Sequence, residues 1–161
     1  VKHNGIVGTS SNRRQSQLLA VRPDLEIEDL RGNINTRIQK LRDENYDAII
    51  LAKAGISRLE LDLSEFYIEE IEPTSELVPA PAQGVLAVQT RDQDNELNTI
   101  LQQINDADVA ACIAVERKVL NLFNGGCHMP LGCYCEKEDN LFKVWTTKAN
   151  SGEEFPDRLY I

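Results

Sequence analysis

Between residues 5 and 71 short apolar runs alternate with polar stretches of helical period, and this alternation restricts the fold more than any other feature of the chain. "NGIVG" reads as a short strand. "TSSNRRQSQLLAV" follows as a helix, with Thr9, Ser10 or Ser11 as the N-cap and Pro23 beyond its end. "LEIEDL" alternates apolar and acidic residues as a half-exposed strand does. "RGNINTRIQKLRDE" restarts a helix, with Asn33 or Asn35 near the cap and Ile34, Ile38 and Leu41 on its buried face. "YDAIILA" is a near-continuous apolar run, which predicts a central strand covered on both sides. "AGISRLEL" predicts a short helix and "FYIEEI" another strand. Parallel neighbours need long crossovers, so this order predicts an α/β unit with a mostly parallel sheet.

The pattern then changes. "PTSELVPAPAQG" has three prolines and no period, so it reads as a connector, and "VLAVQTR" as a strand after it. Residues 95–123 are amphipathic and helical, with Leu97, Ile100, Leu101 and Ile104 on one face and Val115, Val119 and Leu122 further on. Asp106 is placed to break or cap this stretch into two helices. "LGCYCEKE" and "LFKVWTTKA" flank Asp139-Asn140, a hairpin turn, and "RLYI" predicts a third strand. A helical stretch followed by antiparallel strands predicts a small α+β region.

Charge and cysteine usage narrow the function classes. The net charge of −9 argues against general nucleic-acid binding. Residues 1–58 nevertheless hold ten Lys/Arg against seven Asp/Glu, so the first third is mildly basic inside an acidic chain. No run of eighteen apolar residues exists, so no membrane span is expected. The first residues have no apolar core of a signal peptide and no initiator Met, and read as the middle of a protein. Four cysteines (112, 127, 133 and 135) are too few and too unevenly spaced for a disulfide scaffold, which fits a reducing, cytoplasmic setting.

Two stretches repeat one design. "GTSSNRR" sets Thr9, Ser10, Ser11, Arg13 and Arg14 at a strand-to-helix turn, and "RGNINTR" sets Arg31, Thr36 and Arg37 at the next. Helix starts offer unpaired N–H groups, and arginine adds a planar fork that matches a carboxylate. In a parallel α/β unit both turns lie at the carboxyl ends of the strands. The pair therefore predicts one anion site. The order of residues is not that of a P-loop, and four arginines suit an organic polycarboxylate better than a nucleotide.

"NGGCHMPLGC" (residues 124–133) admits two readings. Gly125 and Gly126 can end a helix before Pro130, leaving Cys127 a small apolar residue after a turn. Alternatively the glycines clear space around a nucleophilic thiol. A metal site from Cys127, His128, Cys133 and Cys135 is disfavoured, because no CxxC pair exists and the spacing fits no zinc pattern. Neither His3 nor His128 has an evident partner.

"VGTSSNRRQ", "LRGNINTR", "YDAIILAKAGISRL", "PAPAQGVLAVQTR" and "ERKVLNLFNGGCHMPLG" resemble, in that order, the second half of the porphobilinogen deaminase (hydroxymethylbilane synthase) family, from residue 5 to about 135. The resemblance implies an enzyme that joins porphobilinogen units head to tail into a linear tetrapyrrole, with loss of ammonia, in heme biosynthesis. It implies a dipyrromethane cofactor held as a thioether on Cys127, with Gly126 clearing room beside it. It further implies that Ser11, Arg13, Arg14, Arg31 and Arg37 hold the acetate and propionate arms, with Thr9, Ser10 and Lys53 as further candidates. Lys53 stands where the family usually has a small or apolar residue, and either is another carboxylate partner or simply points outward. The family's first domain, with the aspartate that drives the chemistry, has no match in these residues, so no catalytic acid or base and no metal is assigned. The implied organisation is a periplasmic-binding-like domain over 1–76, a connector and crossover strand over 77–95, and a truncated cofactor-attachment domain over 96–161. The expected partners are porphobilinogen, the growing polypyrrole and the absent first domain, and the chain by itself is expected to be inactive and free of cofactor. The competing expectation is a non-catalytic anion-binding module of periplasmic-binding-like fold, for which a Gly-Gly-Cys loop would have no use.

Overall fold

Three short strands, β1 (Ile6–Gly8), β2 (Glu26–Glu28) and β3 (Ala48–Ile49), form a parallel sheet in the order β2-β1-β3. The computed structural model describes residues 1–43, 45–123 and 129–161. Helix α1 (Asn12–Val21) links β1 to β2, α2 (Ile34–Arg42) links β2 to β3, and α3 (Lys53–Leu59) follows β3. Ser11 caps α1 by accepting the Arg14 N–H, and Asn33 caps α2 by accepting that of Thr36, so each helix starts on a residue that satisfies an orphan donor. Val7, Leu25, Leu30 and Ile38 form the buried apolar centre.

A second unit packs α5 (Ala107–Leu122) on an antiparallel meander of β4 (Leu131–Glu138), β5 (Leu141–Lys148) and β6 (Asp157–Tyr160). Asp106 caps α5 by accepting the N–H groups of Asp108 and Val109, and so divides it from α4 (Asn95–Gln102). Asp139 takes the positive φ of 54° that the β4–β5 turn demands. Tyr134, Trp145 and Tyr160 align across the three strands, with the Trp145 and Tyr160 rings stacked at 4.9 Å.

Residues 75–83 tie the two units together. Gln17 in α1 donates to the Val78 carbonyl at 3.0 Å and accepts the Val78 N–H at 2.8 Å, so a side chain substitutes for a neighbouring strand. From the other side the Cys133 N–H donates to the Pro79 carbonyl. The Glu116 carboxylate accepts the N–H of Ala82 at 2.6 Å and that of Cys135 at 2.9 Å. Arg158 donates to the carbonyls of Ser75 and Glu76. The connector is irregular, as its prolines dictate, yet its buried polar backbone groups find side-chain partners.

Four expectations need correction. Residues 66–71 form no strand: Arg42 pairs with Glu65 and lies over the Phe66 ring, which binds the start of this segment to the end of α2, and no ladder among the described residues lies beside the rest. Residues 85–91 form no strand either. Leu86 and Val88 are largely exposed, and without a described strand beside it an extended segment gains nothing from pairing. β3 is an edge strand of two residues rather than the central one, which is β1. The apolar face of α4 is not buried, since Leu97 and Ile100 are exposed and no described element packs closely against it.

Candidate functional site

The carboxyl ends of the three parallel strands are stitched together by the polar residues of the turns that follow them. Thr9 is buried; its N–H donates to the Glu28 carbonyl and its hydroxyl accepts the Ser11 N–H. The Ser10 hydroxyl donates to the Leu30 carbonyl at 3.1 Å and accepts the Leu30 N–H at 3.0 Å, extending the β1–β2 pairing beyond the strands. Arg14 Nη1 donates to the Ile50 carbonyl at 2.7 Å, just past β3. Arg37 Nε donates to the Gly32 carbonyl at 2.8 Å. Gly32 has φ of 119°, and a Cβ there would meet Thr36 at 2.8 Å, so only glycine suits this turn.

Three of the four arginines named from the sequence form a row of electrostatic neighbours, Arg13 beside Arg14 and Arg14 beside Arg37. Arg13 is buried, with its guanidinium donating to the Val78 carbonyl at 2.6 Å and to Gln83 Oε1 at 3.2 Å. Burial, and then the charge of Arg14, push its pKa down to about 10. Arg14 is lowered in turn, first by burial and then by Arg37. Among the described residues no carboxylate lies within ion-pair distance of Arg13, Arg14 or Arg37. Arg31 stands apart from this row, with an 82% exposed side chain that faces Asp29 at 3.3 Å. Arg14 and Lys53 line a cavity of about 570 Å³ whose walls include Ile49, Ile50, Ile56 and Phe66 and the acids Glu69 and Glu70.

Cys127, Gly126 and His128 lie outside the described residues. Pro130, just after them, accepts the Ala149 N–H, and Gly152, three residues beyond Ala149, lies against Asn12 and Gln15 of α1. Cys112, Cys133 and Cys135 are free thiols. Burial pushes the Cys133 and Cys135 thiols up to about 12, so they are protonated and inert at neutral pH. A thiol reagent applied to the native chain at pH 8 is therefore expected to leave Cys133 and Cys135 unmodified until denaturant is added, as peptide mapping would record.

The sequence reading missed Gln17 and Glu116. Glu116 carried a usable signal, since it lies four residues after Cys112 and three before Val119, on the apolar stripe of α5, where an acid needs a partner. Gln17 carried none, because the inward face of α1 is polar throughout, with Arg13, Ser16 and Gln17 buried.

Residues 1–99 match the family model described as porphobilinogen deaminase, dipyromethane cofactor binding domain. The chain belongs to the porphobilinogen deaminase family. Residues 110–147 match the model of the porphobilinogen deaminase C-terminal domain. Porphobilinogen deaminase of Fusobacterium nucleatum is 44% identical over 150 residues, 92% of this chain and 49% of that protein. That of Oceanobacillus iheyensis is 51% identical over 80% of the chain and 41% of its own length, and that of Streptococcus sanguinis 50% over 86% and 45%. The chain thus spans about half the length of the curated porphobilinogen deaminases it matches. No described helix is long and apolar enough to cross a membrane.

Proposed function

We propose that this chain is the carboxylate-binding and cofactor-bearing part of a hydroxymethylbilane synthase, which assembles porphobilinogen into a linear tetrapyrrole with release of ammonia. The observation that carries the reading is the row of Arg13, Arg14 and Arg37, partly or wholly buried and without a carboxylate partner among the described residues. Desolvated, mutually repelling cations cost stability unless an anion joins them. A pyrrole with acetate and propionate arms suits such a row beside a cavity whose walls are mostly apolar.

In this reading Arg13, Arg14 and Arg37 orient the acid arms, with Ser11, Thr9 and Ser10 holding the turn that presents them. Arg31, exposed at the rim beside Asp29, meets an outer arm. Cys127 supplies the thiolate, and Gly126 leaves room for a bulky group next to the backbone. A dipyrromethane attached there would supply the nucleophilic pyrrole carbon to which substrate is added. No residue of this chain is assigned as catalytic acid or base. Residues 1–76 form the periplasmic-binding-like domain, 77–95 the connector and 96–161 the attachment domain, acting in the reducing cytoplasm. The exposed apolar residues Leu86, Val88, Ile100 and Ile104 would dock the half of the relatives' length that the chain does not span.

Calorimetric titration of the chain with porphobilinogen tests this. The wild type should bind, and Arg14→Met should weaken binding tenfold or more, about the value of a charge-assisted hydrogen bond. The same substitution removes a repelling cation and also the donor to the Ile50 carbonyl, so the stability of the ligand-free chain should change by no more than about 1 kcal/mol. Equal affinity in both proteins would refute the anion site. Cys127 should react with a thiol reagent in the native state, and labelling at Cys112 with Cys127 protected would overturn its role. The intact mass should be that of the unmodified polypeptide, and incubation with porphobilinogen should yield no tetrapyrrole; a dipyrrole-sized increment on Cys127 would show that loading needs nothing beyond this chain.

A further inference from the structure

Lys53 is the first residue of α3, directly after β3. It occupies the third strand-to-helix turn of the same sheet whose first two turns carry Ser11 and Asn33. Arg14 reaches this third turn through its bond to the Ile50 carbonyl. Lys53 Nζ meets Glu70 Oε2 at 2.6 Å, and Arg14, Lys53, Glu69 and Glu70 all line the 570 Å³ cavity. That cavity therefore holds two cations and two acids. An incoming dicarboxylate is attracted by Arg14 and repelled by Glu69 and Glu70, and Lys53 decides the balance.

We propose that Lys53 and Glu70 form a displaceable ion pair that selects dicarboxylate ligands: a ligand carboxylate takes the place of Glu70 on Lys53 while a second one binds Arg14. The inference rests on the carboxylate-binding reading above and extends it to a pair of residues that reading does not use. Glu70 sits on the segment 67–71, which has no ladder partner and is exposed along its length, so the side chain can swing away without breaking backbone structure. The Lys53 and Glu70 side chains are 72% and 69% exposed, and a pair this exposed contributes little to stability, so its exchange for a ligand carboxylate costs little. Arg14, by contrast, is anchored to backbone and keeps its position. A monocarboxylate satisfies only one of the two cations and gains nothing from displacing Glu70.

Porphobilinogen is the probe, titrated into the wild-type chain and its variants by calorimetry at low and high salt. Lys53→Met should weaken binding roughly three- to fivefold, the scale of an exposed charge pair, and Glu70→Gln should tighten it roughly threefold. The double variant should return close to the wild-type affinity, because the attracting and the repelling charge are lost together. All three effects should shrink at high salt. Both side chains are exposed, so the variants should melt within a few degrees of wild type. Binding that is lost in Arg14→Met but unchanged in both Lys53→Met and Glu70→Gln would overturn the pair and leave the arginine site standing. Absence of porphobilinogen binding to the wild type would sink both.

Discussion

Replacing Glu116 with alanine is expected to lower the stability of the chain by about 3 kcal/mol, since one buried and one part-buried N–H group each lose an acceptor worth roughly 1–3 kcal/mol when fully buried. Those groups belong to Ala82 in the connector and Cys135 in β4, so one side chain holds the connector, α5 and the sheet together. Glu116→Gln keeps one acceptor oxygen and turns an amide N–H₂ toward the other donor, so it should fall between wild type and alanine. Urea denaturation of the three proteins measures this, and a loss below 1 kcal/mol for alanine would show that the contacts contribute little. The pH dependence has a definite sign. Burial raises the Glu116 carboxyl above its ordinary value, against the opposing pull of its two N–H donors. Ionisation thus costs more in the folded than in the unfolded chain. Its contribution to stability is highest below the unfolded pKa and declines as pH rises through the folded one. The stability difference between wild type and Glu116→Gln should accordingly shrink from about pH 4 upward.

Gly132→Ala is expected to cost about 3 kcal/mol, the upper end for overpacking a buried site. A Cβ at Gly132 would lie 2.5 Å from Thr147 Oγ1 and 2.7 Å from the Val78 carbonyl oxygen. The hydroxyl is a side-chain atom, but the carbonyl is backbone held by Arg13 and Gln17, and cannot retreat without loosening the connector. Thr147 Oγ1 is itself buried without a hydrogen-bond partner among the described residues. Thr147→Ala removes that hydroxyl, so the double variant Gly132→Ala/Thr147→Ala should recover part of the loss, with a coupling of about 1 kcal/mol. Thermal or urea melts of the four proteins of this cycle give the answer; additive losses would mean that the Val78 backbone alone limits the site.

The local signals that proved reliable are those set within a few residues. The caps, which fell on Ser11 and Asn33 among the candidates named and on Asp106, the Asp139 turn and the five described helices depend on neighbours along the chain. "FYIEEI" and "VLAVQTR" have the composition of strands, yet a strand exists only where another offers its ladder, and among the described residues none does. The run "YDAIILA" has the apolarity of a central strand but sits at the edge, because sheet order depends on crossovers rather than on composition.

The sequence by itself determined the family, the alternating α/β unit, and the placing of two basic turns at the ends of successive strands. Spacing along the chain suffices for these, since strand, turn and helix each form within about ten residues. Only the tertiary structure decided which basic residues share a site. Arg13, Arg14 and Arg37 converge without a carboxylate among the described residues while Arg31 pairs outward with Asp29, and Lys53 joins the cavity in a pair with Glu70. Burial, mutual repulsion and the choice of counter-ion depend on side chains brought together from distant turns, and sequence spacing carries no measure of those distances.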